Sequence, residues 1–483
     1  MTTIRSDSMY PLLFAGDRVR VSRLAGSEAR PGDLVLFLDL QGGAPRLVAH
    51  RVLSRRGGVL RTKGDANLRL DPPLPESAVL GRVEAVATFG RLWELDLVRA
   101  RRAGRLAAAL APALYAARRF IGTGALFALR RAALSAASRG SAPAAPGALD
   151  GDAPFFGFLS RDETWSGRVC LAGDVFVPPG VTLTLEAGTV LLSEPESLWS
   201  LLSPSGRGGP CALHLAGRLE ARGRDGARVC LGGPAPWGGL RLRPGAEAVL
   251  AGCDAGGGTE AGVFVAGGAR LTMDGCVFDG AGAGVRLGPG AEAALRGCVI
   301  SGADGAGVLA EAGARLSLRD TRLERCATGL ESRGALVALA GTCSTGHAHR
   351  GALVTGGRLE AESCRFDGNG GEGLLLAGGA LAVVSRSGAA DNRVGLAVNG
   401  ADLTAVGFEA RDNEDAGVDL AGGRARLTSV AVAGGLHGLR VSGGEAEVRA
   451  LSLAECDRGV VVAGGSLRLD GAGVPGRGPA HAR

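Results

Sequence analysis

At 483 residues the chain can hold two hydrophobic cores, and 82 glycines with only 4% aromatic residues set it apart from an ordinary single-domain enzyme. The glycines follow no three-residue period, which excludes a collagen-like rod and points instead to many tight turns, hence to a repeat fold. The net charge of +6 is uneven: residues 91–139 carry ten Arg against Glu94 and Asp96, a local balance of +8.

Residues 1–90 alternate short apolar runs (Val19–Val21, Leu34–Leu38, Leu47–Leu53, Val83–Ala87) with Gly, Pro and Asp, the pattern of a small strand-rich domain. Four boxes occur in it: "SDSMYP" with Ser8, followed by Gly16–Asp17; "PGDLVLF" at Pro31–Phe37; "VAHRVL" with His50; and "TKGDANLRLD" from Thr62 to Asp71. A serine hydroxyl is a poor nucleophile until a base takes its proton; a histidine suits that task, and a carboxylate must hold the histidine's tautomer. Ser8, His50 and either Asp65 or Asp71 supply those groups.

The order S-x-M-x-P, PGD, HRV, KGD-x-N…D resembles the type I signal peptidases of the archaeal and endoplasmic-reticulum branch. The resemblance covers under a fifth of the chain. It implies Ser8 as nucleophile, His50 as general base, Asp71 as the orienting carboxylate and Asp65 as a supporting acid, with the Ser6 hydroxyl assisting an oxyanion hole. The implied activity is serine endopeptidase cleavage of an extended peptide or preprotein after small residues. Lys63, the sole lysine of the chain, is expected to brace the turn beside Asp65 rather than to act as base. No metal or cofactor is implied.

Residues 91–139 are expected to be helical, broken near Pro112 and Gly122–Gly124. Their apolar runs are too short to span a bilayer and suit an interfacial helix that touches anionic lipid. Nucleic acid is not an expected partner, because the basic charge is not interleaved with aromatics. A Pro/Ala/Gly linker follows at 140–154. With no secretory leader and no spanning run, the chain is expected in the cytoplasm or at a membrane periphery, anchored only if a longer start supplies a span.

From Gly239 a unit recurs, with starts at Gly262, Gly284, Gly307, Gly329, Gly351, Gly373, Gly395, Gly417, Gly438 and Gly459, spaced 21 to 23 residues apart. Each unit reads strand–turn–strand–turn–strand, one coil of a parallel β-helix. Residues 155–475 resemble the right-handed β-helices of the pectate-lyase-like superfamily, so the whole is mainly β: a small β domain, a helical basic linker, then a right-handed parallel β-helix. Cys253, Cys276, Cys298, Cys343 and Cys364 fall 13 or 14 residues after their glycines and are expected to form an inward ladder of thiols. Two further readings accompany the peptidase: a non-catalytic β-helix scaffold or binding protein with a degenerate N-terminal domain, and a carbohydrate-active β-helix. Between Gly239 and Arg483 there is no Trp or Tyr to stack on a sugar.

Overall fold

The computed structural model describes residues 2–3, 8–9, 12–13, 17–39, 46–88, 91–96, 98–102, 132–143, 154–159, 161–193, 211–232 and 237–470. The chain is mainly β, 63% strand against 5% helix, and it divides into two compact units.

The first unit contains a small antiparallel sheet of β1 (Thr2–Thr3), β2 (Arg18–Ser22), β3 (Leu34–Asp39), β4 (Arg46–Arg56), β5 (Val59–Lys63), β6 (Leu74–Pro75), β7 (Val79–Thr88), β8 (Arg91–Leu95) and β9 (Ser138–Pro143). Its order is β1-β2-β7-β3-β4-β5-β6, with β8 on β7 and β9 on β8. The continuous apolar run of β3 is explained by burial on both faces. Leu34 and Leu36 join a core with Met9, Leu13, Val83, Val86 and Trp93, and Val35 and Phe37 join a second core with Val52, Leu60 and Val79 on the other face. His50, next to Ala49 on β4, points to that second face, its ring edge-on to Phe37 at 6.0 Å between centroids.

Helix was expected throughout 91–139, and the described part of that stretch corrects this. Arg91–Leu95 is a strand paired with β7, and Ser138–Pro143, which runs into the expected linker, pairs with β8. Trp93 and Leu95 alternate inward and are buried, so a period of two and the open edge of β7 outweigh the helix-favouring composition. Helical residues are described at 98–102 and 132–137; residues 103–131, where the membrane contact was expected, lie outside the described residues. No helix among the described residues is long and apolar enough to cross a membrane.

The second unit is a β-solenoid; the chain as a whole has about 13 turns of it. Each coil contributes three short strands, and each strand pairs in parallel with its counterpart in the next coil. On the first face Arg270–Asp274, Glu292–Arg296, Arg315–Arg319, Leu336–Ala340, Arg358–Glu362 and Leu381–Ser385 follow one another in unbroken register. The inward residues form the core, with leucine or valine beside alanine on most rungs (Ala293 and Leu295, Leu359 and Ala361).

The repeat glycines are a steric requirement. A Cβ at Gly351 would lie 2.5 Å from the carbonyl oxygen of Gly373, and one at Gly373 would lie 2.7 Å from that of Gly395. Coils therefore approach through these glycines, which is why the glycine spacing is the coil length. The expected thiol ladder holds for Cys253, Cys276, Cys298 and Cys364, which are buried and free of disulfides. Cys343 departs from it: it stands in an outward lane between Arg322 and Arg365, and Thr342 takes the inward place.

Candidate functional site

The candidate site is built by three segments of the first unit. His50 is presented by β4, opposite Val35 of β3. Asp71 is fixed after β5, where its N–H donates to the Thr62 carbonyl at 3.0 Å and the Thr62 hydroxyl donates to its Oδ2 at 2.8 Å. Ser8 is held by the "KGDA" box: the Ala66 N–H donates to the Ser8 carbonyl at 2.8 Å, and Gly64 packs so closely that a Cβ there would sit 2.6 Å from the Ser8 carbonyl oxygen. Beside Ser8, Met9 is buried in the first core and accepts from the N–H groups of Leu12 and Leu13 through its carbonyl.

These supports bring the side chains into line. His50 Nε2 is 2.9 Å from Ser8 Oγ, and His50 Nδ1 is 2.6 Å from Asp71 Oδ2. Burial alone would raise the Asp71 pKa, but the hydrogen bond and charge of His50 and the Thr62 hydroxyl together outweigh it, so the group is held below its usual range. A carboxylate only accepts; His50 Nδ1 therefore carries the proton, which leaves Nε2 of the neutral ring to accept from the Ser8 hydroxyl. His50 is buried and Ser8 half-buried.

Asp65 does not join them. Its carboxylate is buried in a bidentate pair with Arg51, Nε to Oδ1 at 2.8 Å and Nη2 to Oδ2 at 2.7 Å, and Arg51 also donates to the Gly32 carbonyl at 2.9 Å. The acid expected to support the site instead ties β4 to the turn after β5, because the Arg51 guanidinium supplies its counter-charge in that dry interior. Ser6 lies outside the described residues. Two residues that the motif reading did not single out matter here: Arg51 of "HRV", which holds Asp65, and Thr62, whose hydroxyl orients Asp71. Among the described residues no group of three or more His, Cys, Asp or Glu side chains is placed to hold a metal.

Comparison with known proteins bears on the other end of the chain. A family model described as a right handed beta helix region matches residues 236–406. Among curated proteins no sequence matches. Solved structures similar to this chain include a mutant of the periplasmic alginate epimerase AlgG, at 11% identity and a TM-score of 0.36 over 63% of this chain and 78% of that one. Others are PfbA, a surface adhesin of Streptococcus pneumoniae, at 8% identity and a TM-score of 0.30 over 63% and 85% of the two chains, and pectate lyase Pel9A, at 14% and 0.27 over 63% and 74%.

The endopeptidase expectation, with its hydrolase and signal-peptide-processing terms, is corrected by these comparisons. What they return is a β-helix, in proteins titled epimerase, adhesin and lyase; none of those named is a peptidase, and none supports a signal-peptidase domain in the N-terminal residues. The boxes also have a packing role: Gly64 admits Ser8, Asp65 neutralises Arg51, and Asp33 of "PGD" is buried against Arg101 at 2.7 Å. Residues that hold turns together form such boxes whatever the activity, which is why four of them did not specify one.

Proposed function

We propose that this chain is a binding protein, a β-helix rod that presents lanes of side chains to a partner, joined to a small β domain. The observation that carries this reading is how three turn acids of the rod are engaged. Asp279 accepts from the Ser301 hydroxyl at 2.7 Å, Asp367 takes Arg365 and the Ala390 N–H, and Asp415 takes Arg440 at 2.8 Å. Acid–base chemistry on a polysaccharide needs carboxylates that converge on one bond and remain available to it. These carboxylates instead bridge one coil to the next. The test sets the purified chain against immobilised peptides and acidic and neutral glycans, and incubates it with the same glycans in solution. Saturable binding without new reducing ends, unsaturated products or epimerised sugars is expected; turnover of any glycan would replace this reading with a carbohydrate-active one.

A second reading attaches to Ser8, favoured by the 2.9 Å and 2.6 Å distances at His50. Its hydroxyl, backed by His50 and Asp71, has the surroundings of an activated nucleophile for acyl transfer. A fluorophosphonate probe should label Ser8 in the parent chain, slowly in Asp71→Asn and not at all in His50→Ala; a parent chain that resists labelling would make the trio structural.

A further inference from the structure

The first face of the rod carries a shallow open groove. One part, of about 490 Å³, is floored by Thr272, Ala294, Ser317 and Ala338; a second, of about 370 Å³, shares Ser317, Ala338, Arg358 and Glu360 with it and continues to Val383 and Ser385. From Thr272 to Val383 the floor crosses six rungs, and five steps of about 4.8 Å make it roughly 24 Å long, the reach of about seven residues of extended peptide.

Its middle and its far end differ in chemistry. Several arginines of this face are paired with acids, as in Arg218–Glu247, Arg270–Glu292 and Arg358–Glu360. Arg296, Arg315 and Arg319 are exposed and form no ion pair with any described residue. Arg315 and Arg319 flank Ser317 on one strand, and Arg296 stands beside Arg319 on the rung before. Beyond them exposed aliphatic side chains alternate with one charged rung: Leu336 is 45% exposed, Leu381 51% and Val383 45%, and between them stand Arg358 and Glu360, paired with each other. From Thr272 to Ala338 the floor is of small side chains, which lets a backbone lie close; Glu360, held by Arg358, interrupts it before Val383.

We propose that this groove takes an extended polypeptide segment in which acidic residues lie next to aliphatic ones. The inference rests on the binding-protein reading and names its partner. The guanidiniums of Arg315 and Arg319, which line the groove, match carboxylates, bidentately where geometry allows. Leu336, Leu381 and Val383 match aliphatic side chains, whose burial supplies the remaining attraction. An acidic polysaccharide satisfies only the first half: sugars stack on aromatic rings, and this part of the chain has no Trp or Tyr. The peptide lies across the rungs, whose backbone groups are already paired along the rod, so side chains rather than strand addition carry recognition.

The test uses the full chain and two fluorescein-labelled heptapeptides, Asp-Glu-Asp-Glu-Leu-Val-Leu and its reverse, read by anisotropy. At least one should bind saturably, and more weakly as salt screens the charges. The double variant Arg315→Glu, Arg319→Glu should bind at least tenfold more weakly, and so should Leu336→Asp with Leu381→Asp. All four positions are exposed, and circular dichroism confirms that the coil persists. Absence of binding by both peptides, or unchanged affinity in the charge-reversed variant, overturns the proposal. So does a heptameric oligogalacturonate that displaces the peptide and binds more tightly than it. If the chain binds some immobilised peptide or glycan while the groove variants leave that binding intact, the groove assignment falls and the binding-protein reading stands; if the chain binds nothing, both fall.

Discussion

Asp65 and Asp71 stand six residues apart in one box, and the structure gives them separable consequences. Asp65→Asn keeps the shape but removes the charge opposite Arg51, whose guanidinium is 2% exposed and has only the Gly32 and Ala100 carbonyls as further acceptors. Breaking a buried pair by neutralising one partner costs about 3–5 kcal/mol, because the other charge stays buried without compensation. Asp71→Asn removes a partly exposed carboxylate and its bond to the His50 imidazole, an interaction of about 1–2 kcal/mol. Hydrogen exchange over β4 and β5 reads the difference locally. At about 1.4 kcal/mol per tenfold, Asp65→Asn should lower amide protection there by roughly two to three and a half orders of magnitude, and Asp71→Asn by about one. Fluorophosphonate labelling of Ser8 should show a different dependence, slowing in Asp71→Asn while that domain remains folded. Protection that survives Asp65→Asn, or that collapses equally in both variants, would refute the division of roles.

The Asp71 carboxyl is held below its unfolded value, so its contribution to stability is present above the ordinary carboxylate range near 3.9 and is lost as pH falls through the folded value. Acid unfolding of the first unit should accordingly begin at a pH where Asp71→Asn shows a shallower slope than the parent. On the rod, Gly351→Ala forces a Cβ to within 2.5 Å of the Gly373 carbonyl, whereas Gly346→Ala meets nothing within 4 Å and suffers only its positive φ of 68°; the first should lower the melting temperature clearly more than the second, which costs about 1 kcal/mol. Asn392 accepts from the Asn369 N–H and side-chain amide, both at 2.9 Å, and donates to the Phe366 carbonyl at 2.8 Å. Replacing it with Ala strands these groups, and a loss of about 2–4 kcal/mol should appear in denaturant unfolding. Iodoacetamide should leave Cys253, Cys276 and Cys298 unmodified in the native chain and label them after denaturation.

The rod was legible because a steric rule set its period: coils touch through glycines, and glycines are visible in a sequence. The one misplaced thiol shows the limit of counting from them. Cys276 and Cys298 follow corner glycines with φ near 58°, and in the coil of Cys343 the corner residue is Gly341, so Thr342 falls inward and Cys343 one place out. In the first unit, Ser8, His50 and Asp71 were named together and do meet. Asp65 was misread because sequence spacing does not distinguish an acid that faces an imidazole from one that faces a buried guanidinium six residues earlier in the turn. Arg91–Leu95 was misread because edge pairing is a long-range fact: the strand exists where β7 offers unpaired backbone groups, and nothing in "RLWEL" announces β7.

An activity was the least legible layer, and the chemistry of the boxes explains why. Ser8, Gly64, Ala66 and Asp65 are joined by packing and hydrogen bonds that any domain of this topology needs. Those requirements yield motif-like spacing before any substrate is considered. What packing does not require is more informative. On the first face of the rod many charges are matched across or along the rungs, whereas Arg296, Arg315 and Arg319 form no ion pair with a described residue, although Asp274 and Glu292 stand beside the first two on the preceding rungs. Unpaired guanidiniums repel one another and add nothing to the stacking of coils. A fold that needed only to stack would lose nothing by pairing them as it pairs Arg270 and Arg358. Arg315 falls beside the small-residue floor and the exposed Leu336, and this coincidence on one groove is what the peptide-binding proposal rests on.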